Sequence, residues 1–282
     1  MRHEQFEARE PVELYVEIQG GSVHLDATRS TDVSVEIEGT HADEVLVEQR
    51  GRSLRVVTPR PRGLGGGREW AVDLRIHVPG DSDVIVQSGS APVTQQGELR
   101  SMQCKAGSGH VVLDRVRRET LVDTGSGRIT VAHLQGDARL RTGSGGVRAG
   151  RLDGEAIIAT GSGDVSISDL FGELSFKAGS GSLSIEGARG KVRGRTGSGD
   201  VSVSRLQHGE IDAKTGSGSV SVHVPEGTPV WTDVVSGRPV ESTLPSAGEP
   251  APGQDFVKLS ARTGSGTVRL APSESSDHHE HV

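Results

Sequence analysis

The chain has 282 residues, among them 40 Gly, 1 Cys, 2 Trp, 1 Tyr and 4 Phe, and a formal net charge of -7 at pH 7. These figures exclude an intrachain disulfide, an aromatic-rich core and the overall positive field of a nucleic-acid binder, so no specific nucleic-acid binding is expected. No run is long and apolar enough for a membrane span. The opening MRHEQFEARE lacks the apolar segment of a secretory leader. The expected location is therefore cytoplasmic, or the cell surface if an export segment has been removed.

Residues 1–9 read as a flexible N-terminus. From 10 to 88 apolar residues alternate with polar ones at Val12, Leu14, Val16 and Ile18, at Val33, Val35 and Ile37, and at Val72, Leu74, Ile76 and Val78. Period-2 alternation marks half-buried strands. Loops bound them, notably Arg60–Glu69 with its Gly65-Gly66-Gly67. The segment is expected to form irregular leading coils or a small β cap.

Residues 89–272 are governed by a repeat. A Gly-Ser-Gly-like corner opens at Gly89, Gly107, Gly125, Gly143, Gly161, Gly179 and Gly197, each 18 residues after the last, then at Gly216 and at Gly264. Eighteen residues is the length of one coil of a stacked β-solenoid, in which each repeat buries its apolar side chains against its neighbours. Four residues after each first glycine stand Val111, Ile129, Val147, Val165, Leu183 and Val201, and further inward positions follow at period 2. That pattern predicts two short strands per coil, stacked in parallel register about 4.8 Å apart. Cys104 occupies the position held elsewhere by Val122, Leu140 and Ile158, and reads as core filler. Pro225 to Pro252 carries six prolines. Val235-Ser236-Gly237 reads as a degenerate coil there, with a surface excursion near 245–255. Val257, Leu259, Ala261 and Thr263 then restore the inward phase, leaving an open edge after Leu270. The acidic, His-bearing tail 273–282 reads as disordered.

The alternating N-terminal segment, the Val78-Pro79-Gly80 step and the repeats at Thr160–Ile167 and Thr196–Val203 together resemble the bacterial "putative adhesin" family, a domain of unknown function with β-strand repeats. The resemblance spans about residues 10–271 and implies a single-stranded, right-handed parallel β-helix. It brings no catalytic residues.

The outward positions carry the candidate chemistry. Sixteen residues after each corner glycine stand Lys105, Asp123, Arg141, Ala159, Lys177 and Arg195, with Lys214 at that place once the extra residue of the Gly197 repeat is allowed for and Arg262 at the equivalent place before Gly264. Lys105, Arg141, Lys177, Arg195, Lys214 and Arg262 form a candidate anion-binding stripe. Its ordinary reading is a solvated surface. Twelve residues after the glycine, Ser101, Glu119, Asp137, Glu155, Glu173, Lys191 and, allowing for the extra residue of the Gly197 repeat, Glu210 predict an acidic stripe beside it. Ser166, Ser184, Ser202 and Ser221 line the other strand's outer side. Asp164 and Asp200 supply too few acids for a calcium-binding solenoid. No corner carries the Lys-Ser/Thr ending of a phosphate loop. The histidines converge on no catalytic constellation. No catalytic residue, metal or cofactor is expected. The function expected is that of a non-enzymatic scaffold or adhesin-like binding protein, with an anionic surface, a protein or a second copy as partner. The alternatives are a self-assembling structural rod and a carbohydrate-binding or carbohydrate-active protein.

Overall fold

The computed structural model describes residues 1–8, 10–59, 71–244 and 256–273. The loop at 60–69, the excursion at 245–255 and the tail beyond Ser273 lie outside the described residues. The chain is all-β, with one 3-10 turn at Ala42–Glu44 among those residues. It divides into two compact units, Met1–Thr160 and Gly161–Val282.

Unit 1 contains, in order, β1 (Arg2–Glu7), β2 (Glu13–Ile18), β3 (Gly20–Thr28), β4 (Asp32–Glu38), β5 (Leu46–Arg50), β6 (Ser53–Val57), β7 (Ala71–Pro79), β8 (Asp83–Ser88), β9 (Val93–Leu99), β10 (Ser101–Ala106), β11 (Val111–Val116), β12 (Thr120–Thr124), β13 (Ile129–Gln135), β14 (Ala138–Thr142) and β15 (Val147–Thr160). Two parallel ladders run through it. In one, β6, β2, β8, β10, β12, β14 and the end of β15 lie side by side. In the other, the order is β7, β3, β9, β11, β13 and the start of β15. The 18-residue beat appears directly as register: Val93 faces Val111, which faces Ile129, which faces Val147. All four are buried. Cys104, Val122, Leu140 and Ile158 form a matching inward row. Burial pushes the Cys104 thiol up to about 12, as expected of core filler rather than a nucleophile.

Residues 10–88 combine parallel rungs with an antiparallel border. β5 pairs antiparallel with β6, and β4 pairs antiparallel with β7. The first residues are not a flexible terminus: Arg2–Glu7 forms β1, antiparallel to β4, with Phe6 opposite Val33. The Arg2 guanidinium also donates to the Val45 carbonyl at 2.6 Å. Backbone pairing on the rim leaves no apolar alternation in the sequence, so the periodicity gave no sign of it.

Unit 2 contains β16 (Val165–Ala178), β17 (Leu183–Thr196), β18 (Val201–Val203), β19 (Leu206–Thr215), β20 (Val220–Val224), β21 (Val230–Ser236), β22 (Glu241–Ser242), β23 (Val257–Thr263) and β24 (Val268–Pro272). The extra residue of the Gly197 repeat is absorbed as a bulge, because Ala188 faces Leu206 while Arg189 faces His208. The stacking then leaves chain order. β23 pairs with β19 on one side and β21 on the other. β24 lies between β20 and β22 in the same way. The open edge is therefore not after Leu270, which faces Val222 and Ser242. Among the described strands the proline-bracketed β21 and β22 are the outermost. Unit 1 does the same at its start, where the first rung, β2 and β3, is held between β6 and β8 and between β7 and β9.

The corners explain the Thr-Gly-Ser-Gly motif. The N–H of Gly197 donates to the carbonyl of Gly179 at 2.9 Å, and Gly216 repeats this to Gly197 at 3.0 Å. The buried Thr196 hydroxyl donates to the Gly181 carbonyl at 2.9 Å and accepts from the Gly199 N–H at 3.1 Å. Thr215 and Thr263 make the same pair of bonds one and two rungs on. A Cβ on Gly199 would lie 2.0 Å from the Gly181 carbonyl oxygen, so close approach of backbones requires glycine there. At the opposite corner Gly209 needs both space and a positive φ of 122°. The repeat is thus a hydrogen-bonded staple, and its residues are spent on folding.

Candidate functional site

With the corners and inward rows assigned to folding, chemistry is left to the outward faces. On the face built from the second halves of β16 and β17 with β19, β23 and β21, side chains alternate in and out. The outward positions form three rows across the strands. The first runs Glu173, Lys191, Glu210, Lys258, Trp231. The second runs Ser175, Arg193, Asp212, Ser260, Asp233. The third runs Lys177, Arg195, Lys214, Arg262, Val235.

The first row neutralises itself. Glu210 lies 3.1 Å from the Lys191 ammonium and 3.4 Å from that of Lys258. The hydrogen bond from Lys191 holds the Glu210 carboxyl below its usual range; partial burial opposes this, and the charges of Lys191 and Lys258 add to it. The expected acidic stripe is therefore mixed in this unit. Lys258, six residues after Pro252, was not singled out in the sequence because it has no place in the regular 18-residue count. Its ammonium sits 5.4 Å from the centroid of the Trp231 ring.

The third row is different in kind. Four consecutive rungs carry a cation at the same position, about 4.8 Å apart along the backbone. Only Lys214 has an anionic neighbour within 4 Å among the described residues, Asp212 at 3.9 Å. A shallow depression of about 530 Å³ follows the row, lined by its four cations, Val235 and the corner residues behind them. Arg262 completes the run because β23 is inserted beside β19. Stacked in chain order, the rung beside Lys214 would carry Val235.

Lys105 and Arg141 are not brought into such a run. Both lie in unit 1, in a row where Lys105 faces Gln87 and Asp123, and Asp123 faces Arg141. Alternating signs there leave no sustained field. Glu119, Asp137 and Glu155 do line one hollow of unit 1, together with Arg139. The serine row is in register, with Ser166 facing Ser184, Ser184 facing Ser202, and Ser202 facing Ser221. Asp164 and Asp200 are fastened to the next rung, accepting from the Ser182 and Ser219 N–H groups at 2.9 and 2.7 Å. Among the described residues no group of three or more His, Cys, Asp or Glu could hold a metal ion. His133 and Asp153 approach to 2.8 Å, and Arg151 donates to Asp153 at 2.9 Å. Burial pushes the Asp153 carboxyl up, but those two hydrogen bonds and the charges behind them outweigh it and hold it low. The three side chains form a half-exposed ion-pair network.

Parallel β ladders stapled at glycine corners, with a charged outer face, define an all-β repeat protein. The chain belongs to the Toastrack DUF4097 family, whose profile matches residues 12–229. A structure named a putative adhesin from Parabacteroides distasonis is similar at 13% identity and a TM-score of 0.48, covering 95% of this chain and 96% of that one. One named a putative adhesin from Bacteroides fragilis is similar at 12% identity and a TM-score of 0.38, with the same two coverages. A third, named a putative lipid binding protein from Parabacteroides distasonis, is 16% identical with a TM-score of 0.40, again with those coverages. No curated protein matches the chain. None of the family and structure names is that of an enzyme. No helix among the described residues is long and apolar enough to cross a membrane.

Proposed function

We propose that the protein is a non-enzymatic, adhesin-like binding module. In this reading it is a right-handed β-solenoid of about 18 residues per coil, whose outer face in unit 2 engages an anionic partner. Residues 10–88 serve as its leading cap and 89–272 as its repeats. One observation carries the reading: Lys177, Arg195, Lys214 and Arg262 are stacked on adjacent rungs. Two unit charges one rung apart repel by about 0.9 kcal/mol in bulk water. The neighbouring row avoids that repulsion by placing Glu210 between Lys191 and Lys258. A row that places no acid between its four cations is suited to a partner that supplies the negative charge.

Retention of the purified chain on phosphocellulose at pH 7 tests this. A protein of formal net charge -7 should pass through a negatively charged matrix unless a local field holds it. The wild type is expected to be retained at low salt. Replacing Lys177, Arg195 and Lys214 by Glu should release it with its melting curve intact. Retention that persists in the triple variant would remove the basic row from the proposal.

A further inference from the structure

The basic row ends at a strand with a different surface. On the outer face of unit 2 the large apolar outward side chains sit on the outermost strand, β21: Trp231 is 38% exposed and Val235 is 58% exposed. Val240, 44% exposed, follows on the same outermost rung. Trp231 continues the row of Lys191, Glu210 and Lys258, and Val235 continues the cationic row beyond Arg262. Both therefore project from the same side of one sheet as the four cations. Exposed apolar residues scattered singly need no explanation. An indole and a valine on one edge, flush with a run of four stacked cations, form a combined surface that a soluble salt or small anion would use only in part.

We propose that this face docks on an anionic lipid bilayer, with Lys177, Arg195, Lys214 and Arg262 over the lipid phosphates and Trp231 and Val235 entering the headgroup layer. The proposal rests on the anionic-partner reading above and names that partner. Tryptophan suits this depth because its ring is apolar and its N–H remains able to hydrogen-bond. Lysine and arginine stems lie along apolar surface while their heads stay at the phosphates. Lys258, whose ammonium already rests against the Trp231 ring, would sit at the same level. The face also carries Glu173, Glu210, Asp212 and Asp233. Glu210 is matched by two lysines and Asp212 by Lys214. Asp233, between Trp231 and Val235, limits how deeply the edge can enter. The contact is accordingly shallow and salt-sensitive. Each basic residue near an anionic leaflet contributes a factor of about five in partitioning, so reversing three charges should weaken binding on the order of 100-fold or more.

Flotation of the full chain with vesicles tests the assignment, using phosphatidylcholine alone and phosphatidylcholine mixed with phosphatidylglycerol. The protein should float only with the mixed vesicles, and less as salt is raised. Lys177→Glu with Arg195→Glu and Lys214→Glu should abolish flotation, and Trp231→Ala with Val235→Ser should reduce it several-fold. In a Trp70→Phe background the emission of Trp231, then the sole tryptophan, should shift to the blue on binding. Melting curves matching wild type certify that each variant is folded. Equal flotation with both vesicle types, or flotation with no change in Trp231 emission, overturns the proposal. Retention on phosphocellulose without flotation also overturns it, while leaving the broader anionic reading in place. Loss of both removes the two together.

Discussion

Two glycines five residues apart, Gly194 and Gly199, should respond to alanine with opposite signs. At Gly199 a Cβ would lie 2.0 Å from the Gly181 carbonyl oxygen and 2.4 Å from its carbon. Real contacts of this kind begin near 3 Å, so the two corners must part by about an ångström. That separation stretches the Gly197-to-Gly179 bond of 2.9 Å and the Thr196-to-Gly181 bond of 2.9 Å. Two weakened hydrogen bonds cost about 1 kcal/mol each, and the overpacking adds about 1–3 kcal/mol. The total, about 3–5 kcal/mol, should lower the melting temperature by roughly 10 °C in a chain of this size. Gly194 faces Phe176 in the neighbouring strand. The atoms nearest a Cβ there are Val201 methyls at 3.4 and 3.6 Å and a Leu183 methyl at 3.9 Å, which is ordinary contact, and no positive φ stands in the way. Alanine at 194 should therefore stabilise by about 0.4–1 kcal/mol, chiefly by restricting the unfolded chain. Thermal melts followed by far-ultraviolet circular dichroism separate the two cases. Equal losses at both sites, or a Gly199→Ala protein that melts like wild type, would refute the stacking argument.

Other consequences of the packing can be measured on the same instrument. Thr196→Val keeps the shape but leaves the Gly199 N–H and Gly181 carbonyl without their hydroxyl partner, a loss of about 1–3 kcal/mol; Thr196→Ser should recover most of it. Removing residues 256–282 takes β23 from between β19 and β21 and β24 from between β20 and β22. Loss of buried Val257, Leu259, Val268 and Leu270 alone forgoes about 6–12 kcal/mol, so the truncated chain should melt far lower or lose its cooperative transition. A melt close to that of the full chain would contradict the inserted order. Asp153 has a folded-state affinity for protons below that of an ordinary carboxylate. Its contribution is therefore present above the usual value near 4 and lost as pH falls through the lower folded one. Between pH 7 and pH 3 wild type should lose more melting temperature than Asp153→Asn, and equal losses would show that the His133 and Arg151 contacts do not matter.

Much of this architecture was legible because every inward row repeats. Val93, Val111, Ile129 and Val147 recur at 18 residues, and parallel pairing places them face to face. The role of threonine before each corner was half legible: its phase showed that it points inward, but its two hydrogen bonds depend on a glycine carbonyl in the neighbouring rung. The order of rungs at the C-terminal end was not legible. Periodicity says that two segments can stack, not which lies inside. Composition decides it. An inner rung needs a small residue at the second glycine of its corner, where Gly266 brings its own backbone against the Gly218 carbonyl. In the competing segment that place belongs to Pro239, two after Gly237. A chain carrying proline there can leave the stack when nothing lies beyond it, but it cannot stand between two neighbours. The segment from 257 to 272 therefore moves inward and the proline-bearing strands become the rim, a composition suited to an edge that must not recruit further strands.

That choice of order is also what makes the candidate surface. With β23 inside, Arg262 stands beside Lys214 and extends three cations to four; with β21 outside, Val235 and Trp231 are left uncovered at the end of the same rows. Had the rungs stacked in chain order, Val235 would divide Lys214 from Arg262, and the indole would lie under a neighbour. The residues that confine the proline-bearing segment to the rim thus set the spacing of charge and apolar surface on the outer face. For that reason Pro239 should influence anionic binding, although it lies outside the row itself. Pro239→Gly relaxes the constraint that keeps β21 outermost. If the order of rungs makes the surface, this variant should bind phosphocellulose more weakly with all four cations still present. Unchanged retention would show that the cations act without regard to the order of the strands that carry them.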